Sequence, residues 1–254
     1  MNVVTVNGVS IGKGIPKVII PLMGTTLEEL KLEIATVKQE QPDIIEWRVD
    51  ALNEANNIHA VLHALSEIKP LLEEVPLLFT FRSFKEGGEK KTTLEFYDKL
   101  LQKVIESNNI DLIDIELFTG GNVQTLVQKA KQHHISVLLS NHDFKATPST
   151  DEMLSRLLAM QNAGADITKL AVMPNNMGDV LRLLTVAEMM KTLHATQPFI
   201  TIAMGSLGVL SRIAGEFVGS AASFGSGKQA SAPGQITAAE LKYILKKIHM
   251  YLQA

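Results

Sequence analysis

Short apolar runs alternate with amphipathic segments along almost the whole of this 254-residue chain. Each run has the length of one buried strand, and the segments between them repeat apolar residues at helical intervals of three and four. The eight runs are Val18–Leu22, Ile44–Val49, Leu77–Phe81, Leu112–Leu117, Ile135–Leu139, Ile167–Val172, Phe199–Met204 and Ser220–Phe224. Eight βα repeats in a chain of this length predict an α/β fold, a single closed (β/α)8 TIM barrel.

An open, doubly wound sheet is the alternative architecture, because it also alternates strands with helices. The first run is not followed by Gly-x-Gly-x-x-Gly, which weakens a dinucleotide-binding interpretation. No long linker interrupts the repeats, so we expect one domain over residues 1–254. Within it, residues 1–14 should form an N-terminal β-hairpin, since Asn7-Gly8 tolerates the positive φ angles of a type I′ turn.

Four predicted helix starts carry the capping-box pattern, a hydroxyl residue followed three positions later by a glutamate. In this pattern the hydroxyl oxygen accepts a hydrogen bond from an otherwise unpaired backbone N–H of the first turn. The four pairs are Thr26 with Glu29, Thr92 with Glu95, Ser149 with Glu152 and Thr237 with Glu240.

Composition excludes several classes of protein. The net charge is −3 and the basic residues are not clustered, which argues against a nucleic-acid partner. Cysteine is absent, so the chain has no disulfide, no thiolate metal site and no cysteine nucleophile. No apolar run has the length of a membrane span, and the N-terminus does not have the pattern of a signal peptide. We therefore expect a cytoplasmic protein with no membrane partner.

Charged side chains occupy one face of three predicted strands. Because side chains alternate across a strand, they should point into the barrel while the apolar residues between them pack on the helices. These inward residues are Glu46, Arg48 and Asp50 on the second strand, Arg82 after the third, and Asp114 and Glu116 on the fourth. The active sites of such barrels lie at the C-terminal ends of the strands, so Arg82 falls at the functional end.

His142 follows the end of the fifth predicted strand, and Lys169 lies on the sixth. These two strands are neighbours in a barrel. Burial lowers the pKa of a lysine, and a neutral amine attacks carbonyl groups to form a Schiff base. Histidine titrates near neutral pH and suits proton transfer. The two side chains can therefore face one ligand.

Two further features lie late in the chain. Arg212 offers a guanidinium that matches a substrate carboxylate. The Gly- and Ser-rich segment Gly225–Gln235 follows the last predicted strand and has the composition of a lid. It lacks the spacing of a P-loop, although barrels often bind phosphate at this position.

Two site chemistries are compatible with these residues. In the first, Lys169 forms an iminium with a ketone or aldehyde and His142 moves protons. In the second, carboxylates and the histidine hold a divalent metal. That ligand set would be Glu46, Asp50, Asp114, Glu116 and His142. The arginines interleaved with it would crowd a metal ion, which favours the first chemistry.

The chain resembles the type I 3-dehydroquinate dehydratases of the shikimate pathway, which supplies aromatic amino acid biosynthesis. The matching segments are Glu46–Asp50, Phe81–Ser83, Glu86–Gly88, Asp114–Leu117, Ser140–Phe144, Lys169–Pro174 and Ser231–Gln235. The resemblance implies a (β/α)8 barrel, a homodimer, no cofactor and no metal. It implies a lyase that dehydrates 3-dehydroquinate to 3-dehydroshikimate by syn elimination.

The resemblance also implies a role for each matching residue. Lys169 would form the Schiff base and His142 would be the general acid and base, oriented by Glu86 and Asp114. Arg212 would bind the substrate carboxylate. The remaining substrate-binding positions would be Glu46, Arg48, Arg82, Ser231 and Gln235. A Schiff-base class I aldolase on the same fold and a non-catalytic sensor of a quinate-like ligand are the alternatives.

Overall fold

The computed structural model describes residues 2–118, 120–227 and 234–253. A short antiparallel hairpin of β1 (Val4–Val6) and β2 (Val9–Ile11) precedes the main sheet. Asn7 and Gly8 connect these strands with φ angles of 45° and 78°, as the sequence predicts for this turn. The parallel strands that follow in the described ranges are β3 (Lys17–Leu22), β4 (Ile44–Arg48), β5 (Leu77–Thr80), β6 (Leu112–Glu116), β7 (Ser136–Asp143), β8 (Ile167–Val172), β9 (Phe199–Ala203) and β10 (Ala222–Phe224).

Helices lie between successive strands and after the last one. They are α1 (Leu27–Val37), α2 (Ile58–Ile68), α3 (Leu94–Ser107), α4 (Val123–Gln132), α5 (Thr150–Asn162), α6 (Met177–Met189), α7 (Val209–Ile213), α8 (Gly215–Val218) and α9 (Ala238–Leu252). Over the described residues, no helix is both long and apolar enough to span a membrane.

The sheet closes on itself. Its strand order is β10-β3-β4-β5-β6-β7-β8-β9, and every pairing is parallel. At the seam, a parallel bridge joins Phe199 to Ser220, and the backbone N–H of Ala221 donates to the carbonyl of Phe199 at 2.8 Å. The (β/α)8 barrel is therefore confirmed, and the doubly wound alternative is wrong because its first and last strands would not be neighbours.

The strand faces divide as the alternation predicts. Outward residues such as Trp47 and Phe79 pack with the helices. An inward apolar layer fills the N-terminal end of the barrel with Ile19, Ile44, Leu78, Leu112, Leu138, Ile167 and Ile200. Val6 and Ile11 of the hairpin pack in this same cluster, so the hairpin covers that end. The polar inward residues are left at the opposite, C-terminal end.

Three of the four predicted helix caps are confirmed. Thr26, Ser149 and Thr237 each accept a hydrogen bond from the backbone N–H three residues later. At α3 the prediction is wrong by one residue, because Thr93 rather than Thr92 is the N-cap and accepts from Phe96.

Candidate active site

A pocket that is partly open to solvent occupies the C-terminal end of the barrel. Most of the residues singled out from the sequence line it: Glu46, Arg48, Arg82, Glu86, His142, Lys169, Arg212 and Gln235. Along the sequence, these residues belong to seven different predicted strands, loops or helix starts. Barrel closure is what brings them around one cavity.

Lys169 extends from β8 into this pocket and is only 5% exposed. Its backbone lies opposite Ser140 on β7 and Ile200 on β9. The ammonium nitrogen Nζ lies 4.1 Å from the centre of the Phe224 ring. Burial lowers the pKa of Lys169, and the nearby guanidinium groups lower it further, against the opposing charges of Glu46 and Asp114. These conditions raise the fraction of neutral, nucleophilic amine.

His142 is held by Glu86. Both the backbone N–H and the ring Nδ1 of His142 lie within hydrogen-bond distance of Glu86 Oε2, at 2.9 and 3.0 Å. A carboxylate at Nδ1 favours the tautomer with its proton there, which leaves Nε2 as a base. Burial lowers the pKa of His142 well below its usual value, and the charges of Arg82, Lys169 and Arg48 lower it further. The imidazole is thus neutral near pH 7.

Glu86 belongs to a loop that follows β5, and it is 5% exposed. Burial raises the pKa of Glu86 to about 8, and the charge of Glu116 adds to this rise, whereas the Arg82 guanidinium and the Asn141 amide lower it. Glu86 therefore titrates close to neutral pH, and only its ionised form accepts the Nδ1 proton of His142.

Arg82 is the centre of a buried ion-pair network. Its Nη2 donates to Asp114 at 2.6 Å, and its Nη1 donates to Glu116 and to the Ser140 hydroxyl, each at 2.9 Å. Ser140 in turn donates to Asp114 at 2.6 Å. Asp114 and Glu116, which the metal alternative needs as ligands, thus already hold a cation. Arg82 lines the pocket, whereas Asp114 contacts Arg82 and Ser140 rather than the ring of His142.

Arg48 and Glu46 are positioned by polar neighbours. The guanidinium of Arg48 donates twice to Asp50, at 2.9 and 2.8 Å. Asp50 is completely buried and also accepts from the backbone N–H groups of Arg82 and Glu89, at 3.2 and 3.1 Å. It therefore joins the Arg48 side chain to the loop that carries Glu86. Glu46 accepts a hydrogen bond from Thr80 at 2.9 Å.

Arg212 reaches the pocket from α7, on the side of β9 and β10. It is 1% exposed, and burial lowers its pKa to about 10. Gln235 also lines the cavity. Ser231 lies outside the described residues, as does most of the predicted lid.

Several lining residues were not among the site residues predicted from the sequence. They are Gly87, Phe144, Ala171, Ile202, Met204 and Phe224. Strand alternation gives a signal for Ala171, which lies two residues after Lys169 on the same face. Phe144 lies beyond the end of its strand, where no periodicity indicates direction. Its ring stacks on His142 with centroids 6.5 Å apart.

Comparison with known proteins agrees with this geometry. The family model for type I 3-dehydroquinase matches residues 18–251. The 3-dehydroquinate dehydratase of Bacillus subtilis (strain 168) is 50% identical over 250 residues, which cover 98% of both chains. That of Clostridium novyi (strain NT) is 48% identical over 253 residues, covering 99% of this chain and 100% of the relative.

Solved structures show the same relationship. The type I 3-dehydroquinate dehydratase of Clostridium difficile, with covalent modified comenic acid, has a TM-score of 0.95 and 42% identity and covers 98% of this chain and 99% of its own. The 3-dehydroquinate dehydratase of Geobacillus kaustophilus HTA426 has a TM-score of 0.94 and 33% identity, covering 98% and 97%. The resemblance noted from the motifs is thereby confirmed across nearly the whole chain. This chain belongs to the type I 3-dehydroquinate dehydratase family, whose members are hydro-lyases.

Proposed function

We propose that this chain dehydrates 3-dehydroquinate to 3-dehydroshikimate by syn elimination, through a Schiff base on Lys169. One observation carries the proposal: a buried lysine with a lowered pKa faces the same pocket as a neutral histidine held by a carboxylate. The covalent modified comenic acid in the Clostridium difficile relative supports covalent chemistry in this kind of pocket.

The reaction begins at the amine. Neutral Lys169 Nζ adds to the ketone carbon, and loss of one water, together with uptake of one proton from solvent, gives a protonated imine, or iminium. The C2 proton of the ketone is a poor acid, but the iminium accepts the electron pair that its removal leaves. The Phe224 ring beside Nζ stabilises positive charge at this nitrogen.

His142 then serves both proton transfers. Its Nε2 removes the C2 proton, and the electron pair moves to the iminium nitrogen to give an enamine. The protonated imidazole next gives its proton to the hydroxyl on the neighbouring carbon, which leaves as water. The electron pair returns from nitrogen to form the carbon–carbon double bond. Because one group performs both transfers, both occur on the same face of the ring, as syn elimination requires. Hydrolysis of the imine frees the enone and restores the amine.

The other polar residues bind the substrate in this proposal. Arg212 pairs with its carboxylate, because a buried guanidinium offers two parallel donors to one. The hydroxyl or carboxylate oxygens of the substrate are bound by Glu46, Arg48, Arg82, Gln235 and Ser231. Glu86 orients His142. Asp114 acts on the substrate indirectly, by positioning Arg82. The homodimer stays a prediction of the resemblance, and the cytoplasmic location stays a prediction from the composition of the chain.

An absorbance assay for the conjugated enone tests this function with 3-dehydroquinate as substrate. We expect the wild-type chain and the surface variant Lys246→Ala to produce the signal and Lys169→Ala to produce none. His142→Ala should still form an adduct that borohydride reduces, but should stall before elimination. Turnover by Lys169→Ala would refute the proposal. Cleavage of a phosphosugar without the enone signal would favour the aldolase, and binding of the substrate without turnover would favour the sensor.

A further inference from the structure

A side chain outside the pocket is connected to Glu86 through one amide. Arg156 lies on α5, in the outer helix layer, and its Nη1 donates to Asn141 Oδ1 at 3.0 Å. Asn141 is 7% exposed, and its Nδ2 donates to Glu86 Oε1 at 3.0 Å. Asn141 directly precedes His142 on β7. Since strand side chains alternate, Asn141 faces away from the barrel axis and towards α5.

The chemistry of Arg156 determines how the Asn141 amide is oriented. A guanidinium has donors only, whereas an amide has an accepting oxygen on one side and a donating nitrogen on the other. Arg156 therefore requires the amide oxygen, and the NH2 group is turned towards Glu86. The reverse orientation would set donor against donor at Arg156 and acceptor against acceptor at Glu86, with two buried groups unpaired.

The orientation matters because Glu86 has a separate donor on each oxygen. Oε1 accepts from Asn141, and Oε2 accepts from the backbone and ring nitrogens of His142. These bonds fix the plane of the carboxylate and favour its ionised form. An ionised, fixed Glu86 keeps the proton of His142 on Nδ1 and leaves Nε2 free towards the pocket.

We propose that Arg156 is a positioning residue for the proton transfers, which acts on Glu86 and His142 by locking the amide of Asn141. The inference rests on the proposed role of His142 as acid and base. Arg156 itself is not among the residues that line the pocket, so its effect is on the rate of elimination rather than on substrate binding.

Arg156 also contacts Asp143, and the effect of that contact on His142 has to be distinguished from the effect through Asn141. Its Nη1 also lies 3.4 Å from Asp143 Oδ2, and Asp143 Oδ1 accepts from the backbone N–H groups of Lys145 and Ala146. That turn carries Phe144, which stacks on His142. Asp143→Asn removes the charge of this contact but keeps an acceptor for the turn.

The test compares Arg156→Met with a matched control. Arg156 also forms an ion pair with Glu152 of its own helix at 2.8 Å, and Arg182 on α6 forms the matching pair with Asp179 at 2.9 Å. Arg182→Met should leave kcat, KM and the pH profile unchanged. Arg156→Met should lower kcat about tenfold at unchanged KM, because a small displacement of a catalytic base is costly. The acid limb of the kcat profile should move to higher pH, because Glu86 loses a donor that favours its charged form. Borohydride trapping at Lys169 should persist.

Two further variants test whether Arg156 acts through Asn141. Arg156→Lys keeps a donor and should recover part of the rate. Asn141→Ala should reproduce the loss, and adding Arg156→Met to it should cost little more, since the two residues act as one unit. Asn141 is buried, so a thermal melt accompanies each variant, and Arg156→Met and Arg156→Lys decide the matter if Asn141→Ala does not fold.

Several results would overturn the inference. Arg156→Met could behave like Arg182→Met, or could lose rate without a shift of the acid limb, which would mean a structural role alone. A loss in Asp143→Asn as large as that in Arg156→Met would assign the effect to the Phe144 turn. His142→Ala serves as the reference in the same assay: wild-type turnover by that variant would refute the proposed function instead.

Discussion

At the scale of single residues, the site depends on burying charges in a particular arrangement. Lys169 is a cation that burial disfavours, while Glu86 is an anion that burial disfavours. In each case burial raises the fraction of the neutral form above that of an exposed group of the same type. The barrel mouth thus supplies a nucleophile and a titrating carboxylate from ordinary side chains.

The ring of Phe224 should set the basicity of Lys169. A cation 4.1 Å from an aromatic centroid is stabilised, so Phe224→Leu should lower the Lys169 pKa further. The acid limb in the rate of Lys169 labelling by an amine-reactive reagent should then move to lower pH. Ile202→Leu changes another lining residue without removing a ring and should leave the limb in place. A limb that does not move in Phe224→Leu would show that the ring contributes only packing.

Arg212 should act mainly in binding. Removing a charge-assisted pair to the substrate carboxylate costs about 2 kcal/mol, so Arg212→Ala should raise KM about 30-fold, with a smaller effect on kcat. Steady-state kinetics with 3-dehydroquinate measure both constants. An unchanged KM would place the carboxylate-binding group elsewhere in the pocket.

At the scale of elements, the strands carry the charged groups and the loops after them hold these groups in position. Arg82 follows the end of β5, and the loop that continues from it folds back on the strand. Glu86 and Gly88 both donate from their backbone N–H groups to the Ser83 carbonyl, at 3.0 and 2.8 Å. This short loop therefore connects the ion-pair network to the carboxylate that orients His142.

Gly88 is the position where this loop should tolerate no side chain. A Cβ atom there would lie 1.9 Å from the carbonyl oxygen of Arg82, which is backbone and has no alternative rotamer. We expect Gly88→Ala to displace Arg82 and Glu86 and to lower kcat at least tenfold, since sub-ångström placement governs proton transfer. The assay is paired with a thermal melt. A variant with unchanged kcat and melting temperature would show that the loop adjusts freely.

Elements were the scale at which sequence reasoning was most successful. The period of two in β4 and β6 correctly assigned Glu46 and Asp114 to the interior, because that period is fixed by backbone geometry. The partners of Arg82 required the register between strands, which one sequence does not reveal. At α3 the capping-box pattern indicated Thr92, whereas the helix begins one residue later, with Thr93 as its N-cap.

At the scale of the whole molecule, the two ends of the barrel are specialised differently. The N-terminal end is apolar and is covered by the hairpin, whereas the C-terminal end concentrates buried charges around the pocket. Separating the apolar layer from the polar mouth allows the fold to tolerate these charges, because the cost of burying them is offset elsewhere. Closure of the sheet was predictable from the eight repeats, whereas the contact between Arg156 and Asn141 joins a helix to a strand end and was not.

Ile11 tests this division. It is 1% exposed and packs against the apolar layer, so Ile11→Ala should lower the free energy of unfolding by about 3 kcal/mol. Chemical denaturation measures that change. Because the residue lies at the end opposite to the pocket, kcat and KM well below the melting temperature should match the wild type. A loss of activity in the folded variant would show that the two ends are coupled.

The most direct test of the central claim is mass spectrometry of the chain after reduction with borohydride in the presence of 3-dehydroquinate. We predict one covalent adduct, on the peptide that contains Lys169, with His142→Ala modified at the same residue. A reduced adduct on a different lysine, or continued turnover with no trapped adduct at all, would contradict the account.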